Sequence, residues 1–117
     1  MRHIDSYKKL RTLSAMLIGE IPQTMAAFGE LHSSAVATGS LDTKTKELIA
    51  LSIAITVRCN DSIDFHVHDA LNAGASRQEV LETIEVAILM GGSPAMVYGC
   101  KALEALNQFE QEQDLPL

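Results

Sequence analysis

The segment Glu47–His66 reads ELIALSIAITVRCNDSIDFH, and its first half carries apolar side chains in nearly every direction around a helical axis. Leu48, Ile49, Leu51, Ile53, Ala54, Ile55 and Val57 surround it, with Ser52 and Thr56 as the polar interruptions. The β-branched residues would suit a strand, but the run is long, does not alternate, and is extended at its front by Lys44, Lys46 and Glu47. A helix is therefore expected, from an Asp42 cap to about Val57. An all-round apolar pattern puts it at the centre of the fold. Asn60-Asp61 breaks the run, and a second helix is expected to start near Asp61. On an ideal helix Cys59, Ser62 and His66 share an arc of about 60°. A thiol, a hydroxyl and an imidazole then point the same way, beside Ile63, Ala70 and Ala73.

Outward from this segment the chain reads as further helices. Ser6–Ile18 has helical spacing through Leu10, Leu13, Met16 and Leu17, with Asp5 or Ser6 as cap. Pro22 is placed as a first-turn proline for a helix reaching about Ala37. The helix after Asp61 ends at Asn72-Ala73-Gly74, with Gly74 just past its end. Ser76-Arg77-Gln78-Glu79 is a capping box opening a stripe of Val80, Leu81, Ile84, Ala87 and Ile88. Met90-Gly91-Gly92 closes that helix. The last runs from Ser93-Pro94 to about Glu112, with Met96, Val97, Cys100, Leu103, Leu106 and Phe109 on its inner side and a frayed QEQDLPL tail. The expectation is a single all-α domain of six helices spanning residues 1–117.

Composition agrees. Of 117 residues 47% are hydrophobic but only 4% aromatic, so the core must be built from Ala, Leu, Ile, Val and Met, which suits close helix packing. Helices this apolar leave surface over for an interface, and a homo-oligomer is expected. The net charge of −6 argues against nucleic-acid and anionic-membrane partners. Two widely separated cysteines are too few for a secreted disulfide framework, so a cytoplasmic location is expected. The apolar runs are too short to cross a membrane.

With these residues in hand the sequence resembles the carboxymuconolactone decarboxylase / alkyl hydroperoxidase D (AhpD)-like family. The redox branch of that family carries a Glu, eleven residues, C-x-x-C, three residues and a His. Glu47, Cys59 and His66 fall at those positions, and Ser62 stands where the second cysteine would be. The segment from His66 to Gly99, including Met90-Gly91-Gly92-Ser93-Pro94-Ala95, is also similar to small single-domain members. The resemblance implies an all-helical fold assembled as a homotrimer or homohexamer. For the redox branch it implies peroxiredoxin-type, thiol-dependent reduction of hydroperoxides. There the second cysteine attacks, activated by the histidine and by the glutamate through a water, and the first cysteine resolves the sulfenic acid.

That two-sulfur cycle cannot run through Ser62, because a hydroxyl is not ionised near neutral pH and does not cycle through oxidation states. Three readings stay open. Cys59, at a helix start beside Arg58, serves as a single reactive thiol of attenuated activity, reduced by an external thiol or by Cys100. Alternatively Glu47 and His66 move protons on a small carboxylate or lactone, as in the decarboxylase branch, with Ser62 positioning it. Or the chain is a non-catalytic oligomeric binding protein. The candidate catalytic set is Glu47, Cys59, Ser62 and His66, with Tyr98 and Ile63 as pocket lining. Glu47 in a first helical turn would also be favoured by the dipole alone. Asp61 and Asp64 read as solvated or capping groups, and Cys100 as a small buried hydrophobe. His68 points about 160° from His66 on an ideal helix, so no metal or other cofactor is expected.

Overall fold

The computed structural model describes residues 1–114 as α1 (Arg2–Glu20), α2 (Pro22–Val36), α3 (Thr43–Thr56), α4 (Asn60–Asn72), α5 (Arg77–Gly91) and α6 (Ser93–Asp114), with no strand among them. The end of the tail, residues 115–117, lies outside the described residues. α3 and α4 pack as a pair, α5 and α6 as a second pair, and α3 also lies on α5 and α4 on α6. The core between them is Leu51, Ile55, Ile63, Val67, Val80 and Leu106, sealed by small residues (Ala54, Ala70, Ala87, Ala95, Ala102 and Ala105) that let the helices approach closely.

The boundaries follow local chemistry. Asp42 caps α3 by accepting from the Thr45 N–H. Ser76 and Glu79 form the reciprocal capping box on α5. The Ser76 backbone bond, then the Lys44 ammonium 2.9 Å away, hold the Glu79 carboxyl below its ordinary range, and the same ion pair ties the front of α3 to the front of α5. Gly74 takes φ +98° just past α4, a backbone state that glycine enters without steric penalty. At Gly92 (φ +70°) α5 turns into α6 with no intervening loop.

Four expectations are corrected. α1 begins at Arg2, because His3, Ile4 and Tyr7 are its buried residues, while Leu13, Met16 and Leu17 are exposed. The inner face of α6 is Ala95, Ala102, Ala105, Leu106 and Phe109. Met96, Val97, Cys100 and Leu103 face outward, since the close contact with α5 admits only small side chains: a Cβ on Gly99 would meet Ile84 Cγ2 at 3.0 Å. α3 is buried on one side only, with Ile49, Ile53 and Val57 exposed. Asp64 is neither solvated nor a cap. It is buried, and the ring of His3 bridges it to Glu104, joining α1, α4 and α6.

α2 has no buried residue, and Phe28 and Leu31 are more than 60% exposed on it. The radius of gyration of 14.5 Å, against about 13 Å for a compact chain near this length, is consistent with the α1–α2 hairpin standing out from the bundle.

Burial pushes the Asp64 carboxyl above its ordinary value of 3.8, against the pull of the His3 hydrogen bond. The native state then keeps this proton to higher pH than the unfolded chain does. The stability that Asp64 contributes is therefore complete below the unfolded value and is lost as pH rises through the raised native value. Urea midpoints of wild type and Asp64→Asn, measured across that acidic interval, should diverge in favour of the variant as pH rises. Parallel curves would contradict this.

Candidate functional site

Cys59 is the N-cap residue of α4, and a tight turn delivers it there. Val57 N–H bonds back to Ile53 O, Cys59 N–H reaches Ala54 O at 3.0 Å, and between them Arg58 adopts φ +62°, the left-handed region that a non-glycine side chain rarely enters. The Cys59 side chain is exposed, and its thiol donates to Ser62 Oγ at 3.1 Å. One helical turn beyond Ser62, His66 Nδ1 lies 2.9 Å from Glu47 Oε2. Nδ1–H donation to the carboxylate leaves Nε2 as the acceptor of the ring.

Glu47 is 3% exposed and is the fifth residue of α3, a turn further in than the sequence reading placed it. The helix dipole therefore does not account for a carboxylate here; its bond to His66 does. The four expected catalytic residues form two hydrogen-bonded pairs on successive turns of α4, an exposed thiol–hydroxyl pair and a part-buried imidazole–carboxylate pair. Among the described residues no hydrogen bond joins one pair to the other. Ile63 is fully buried in the core. Tyr98 is half-buried on α6 with the Lys101 ammonium 4.7 Å from its ring centroid, and no hydrogen bond links it to Glu47 or His66. Cys100 is exposed on α6 and forms no disulfide with Cys59.

Two further residues reach Glu47. One ligand atom each of His32 on α2, Glu47 on α3 and Asp69 on α4 lie within 4.8 Å of one another. Asp69 was within reach of the sequence, three positions after His66 and so on a neighbouring stretch of the same helix face. His32 was not, because its position depends on how α2 lies against α3. That packing is set by two bonds across the connection: Thr43 Oγ1 donates to Val36 O at 2.7 Å and Lys46 Nζ to Ala37 O at 2.6 Å. His68, which diverges from His66 as expected, stacks on Tyr7 with centroids 4.1 Å apart and has Nδ1 3.0 Å from Asp69 Oδ1. A groove of about 560 Å³ lies over this stack, lined by Tyr7, Arg11, Asn72, Phe109 and Glu112 among others. It holds neither Cys59 nor Glu47.

Comparison with known proteins agrees with this architecture. A family model described as the carboxymuconolactone decarboxylase family matches residues 22–105, α2 through most of α6. A protein of Cupriavidus necator is 39% identical over 89 residues, covering 74% of this chain and 79% of its own. The crystal structure of a carboxymuconolactone decarboxylase family protein from Legionella pneumophila superposes with a TM-score of 0.89 at 38% identity, covering 92% of this chain and 96% of that one. A family member from Thermotoga maritima, for which involvement in an antioxidative response has been raised as a possibility, gives 0.80 at 25% identity over 97% and 94% of the two chains. With six helices in the same arrangement and a family match across α2–α6, the chain belongs to the carboxymuconolactone decarboxylase family.

Proposed function

We propose that this protein is a thiol-dependent hydroperoxide reductase of attenuated activity, centred on Cys59. The observation that carries the reading is the exposed thiol of Cys59, the N-cap residue of α4, one turn before Ser62 and two before the Glu47–His66 pair. The antioxidative role raised for the Thermotoga maritima relative supports the same class of chemistry.

In this reading His66 Nε2 takes the proton of the Cys59 thiol, the thiolate attacks one peroxide oxygen, the S–O bond forms as the O–O bond breaks, and the Glu47–His66 pair returns that proton to the leaving alkoxide. Ser62 stabilises the thiol by its hydrogen bond but cannot condense with the sulfenic acid. An external thiol therefore does so, releasing water, and a second external thiol frees Cys59 by exchange. Such a cycle belongs in a reducing compartment, which fits a cytoplasmic protein. No helix among the described residues is long and apolar enough to cross a membrane.

One observation favours a second reading. The imidazole–carboxylate pair is complete without the thiol, so it could move protons on a small carboxylate or lactone. Dimedone labelling after peroxide separates the two. Labelling confined to Cys59 and abolished in Cys59→Ala is expected, and lactone turnover with no labelling would favour acid–base chemistry. Ser62→Cys should restore a resolving pair inside the motif and raise thiol-dependent peroxide turnover at least about tenfold, since each 1.4 kcal/mol of barrier is one decade. An unchanged rate would oppose the thiol reading.

The chain is further proposed to work as a homo-oligomer, a trimer or hexamer. Ile49, Ile53, Val86, Leu89 and Met90 form an exposed apolar face along α3 and α5, and the α1–α2 hairpin exposes Leu13, Leu17, Phe28 and Leu31. Apolar faces of this extent mark interfaces. Light scattering on Ile53→Asp/Leu89→Asp should give a smaller species than wild type; a wild-type monomer would refute the proposal.

A further inference from the structure

Glu47 and Asp69 bring two carboxylates to one place at the junction of α2, α3 and α4, together with His32. Among the described residues neither carboxylate forms a salt bridge with a lysine or an arginine; their partners are the imidazole rings of His66 and His68. Like charges this close, one of them on a buried side chain, need a compensating charge between them.

Both carboxylates are also held in place. His66 Nδ1 fixes one oxygen of Glu47 and His68 Nδ1 one oxygen of Asp69, at 2.9 and 3.0 Å, and each carboxylate retains a second oxygen. Carboxylates that bind a metal are themselves commonly held by hydrogen bonds from an outer shell. His32 makes no side-chain hydrogen bond among the described residues, so its ring nitrogens are available as donors. The site is graded from inside to outside, with Glu47 buried, Asp69 half-buried and His32 exposed, so it opens to solvent on the α2 side.

We propose that His32, Glu47 and Asp69 form a binding site for a divalent transition-metal ion, with His66 and His68 orienting the two carboxylates. One nitrogen and two carboxylate donors suit Zn²⁺, Mn²⁺ or Fe²⁺. They offer too few oxygens for a Ca²⁺ cage and no sulfur for Cu⁺. Ligand atoms within 4.8 Å of one another need a small inward adjustment to bring all three to about 2.0–2.2 Å from one ion. Exposed His32, on a helix with no buried residue, can supply that movement. The ion would join α2 to α3 and α4 by a bond that does not depend on apolar packing. The site does not rest on the thiol chemistry, although it shares Glu47 with it.

The test uses the full chain, stripped with a chelator and titrated with Zn²⁺ and Mn²⁺ by calorimetry and with Co²⁺ by absorption. Wild type should take up one ion per chain, and Co²⁺ should show d–d bands with no thiolate charge-transfer band. His32→Ala and Asp69→Asn, at exposed and half-buried positions, should each weaken binding by more than the roughly 10–100-fold loss typical of an outer-shell partner. Circular dichroism should show that both variants remain folded. Cys59→Ala should leave the affinity unchanged while abolishing peroxide labelling, so the two proposals fail separately. No uptake by wild type, equal affinity in His32→Ala and Asp69→Asn, or a charge-transfer band that Cys59→Ala removes would each overturn the site.

Discussion

A carboxyl group buried inside a helical bundle must be answered by a hydrogen-bond partner, and for Glu47 that partner is His66. The demand constrains both helices of the central pair. α3 must present Glu47 inward in its second turn, and α4 must start where residue 66 comes opposite it. The start of α4 is set in turn by the reversal at Val57–Cys59, so the position of the thiol and the position of the imidazole are one geometric decision. Around this contact the apolar residues of α3 and α4, Leu51, Ile55, Ile63 and Val67, supply the area that holds the pair together.

A second polar contact works on the opposite side of α4, at Asp64, two residues before His66. His3, buried near the chain start, reaches Asp64 and Glu104 at once, so α1 is fixed by its first turns and its later apolar residues are left outside. Every buried side-chain polar atom among the described residues has a partner. Polar groups inside this bundle therefore specify which helices meet, while the alanine-rich seams set how closely they meet.

The helices themselves were legible because their caps are chemical. Asp42, the Ser76–Glu79 box, Gly74 and the Gly92-Ser93-Pro94 junction all announce themselves in one dimension. The spacing Glu47–Cys59–Ser62–His66 likewise singled out these four residues but not their pairing, since Ser62 meets Cys59 and His66 meets Glu47. What escaped depends on the identity of the neighbour. Alanine-for-methionine choices on α6 cannot be read without knowing that α5 lies against it. Asp64 looks like any surface aspartate until His3, 61 residues away in sequence, is placed beside it. His32 carries no local signal at all, since it meets Glu47 and Asp69 only through the way α2 docks at its end on Thr43 and Lys46.

The turn before Cys59 shows what the thiol's position costs. Arg58 occupies a left-handed conformation that a glycine would adopt without strain and that a residue with a Cβ holds at an expense of about 1–2 kcal/mol. The steric load thus sits on the residue adjoining the sulfur, and it also narrows the freedom of the backbone there. A glycine at this position would relax the hinge while letting the cap of α4 wander. Tolerance of an arginine here amounts to exchanging a little global stability for a sulfur that stays where the helix begins.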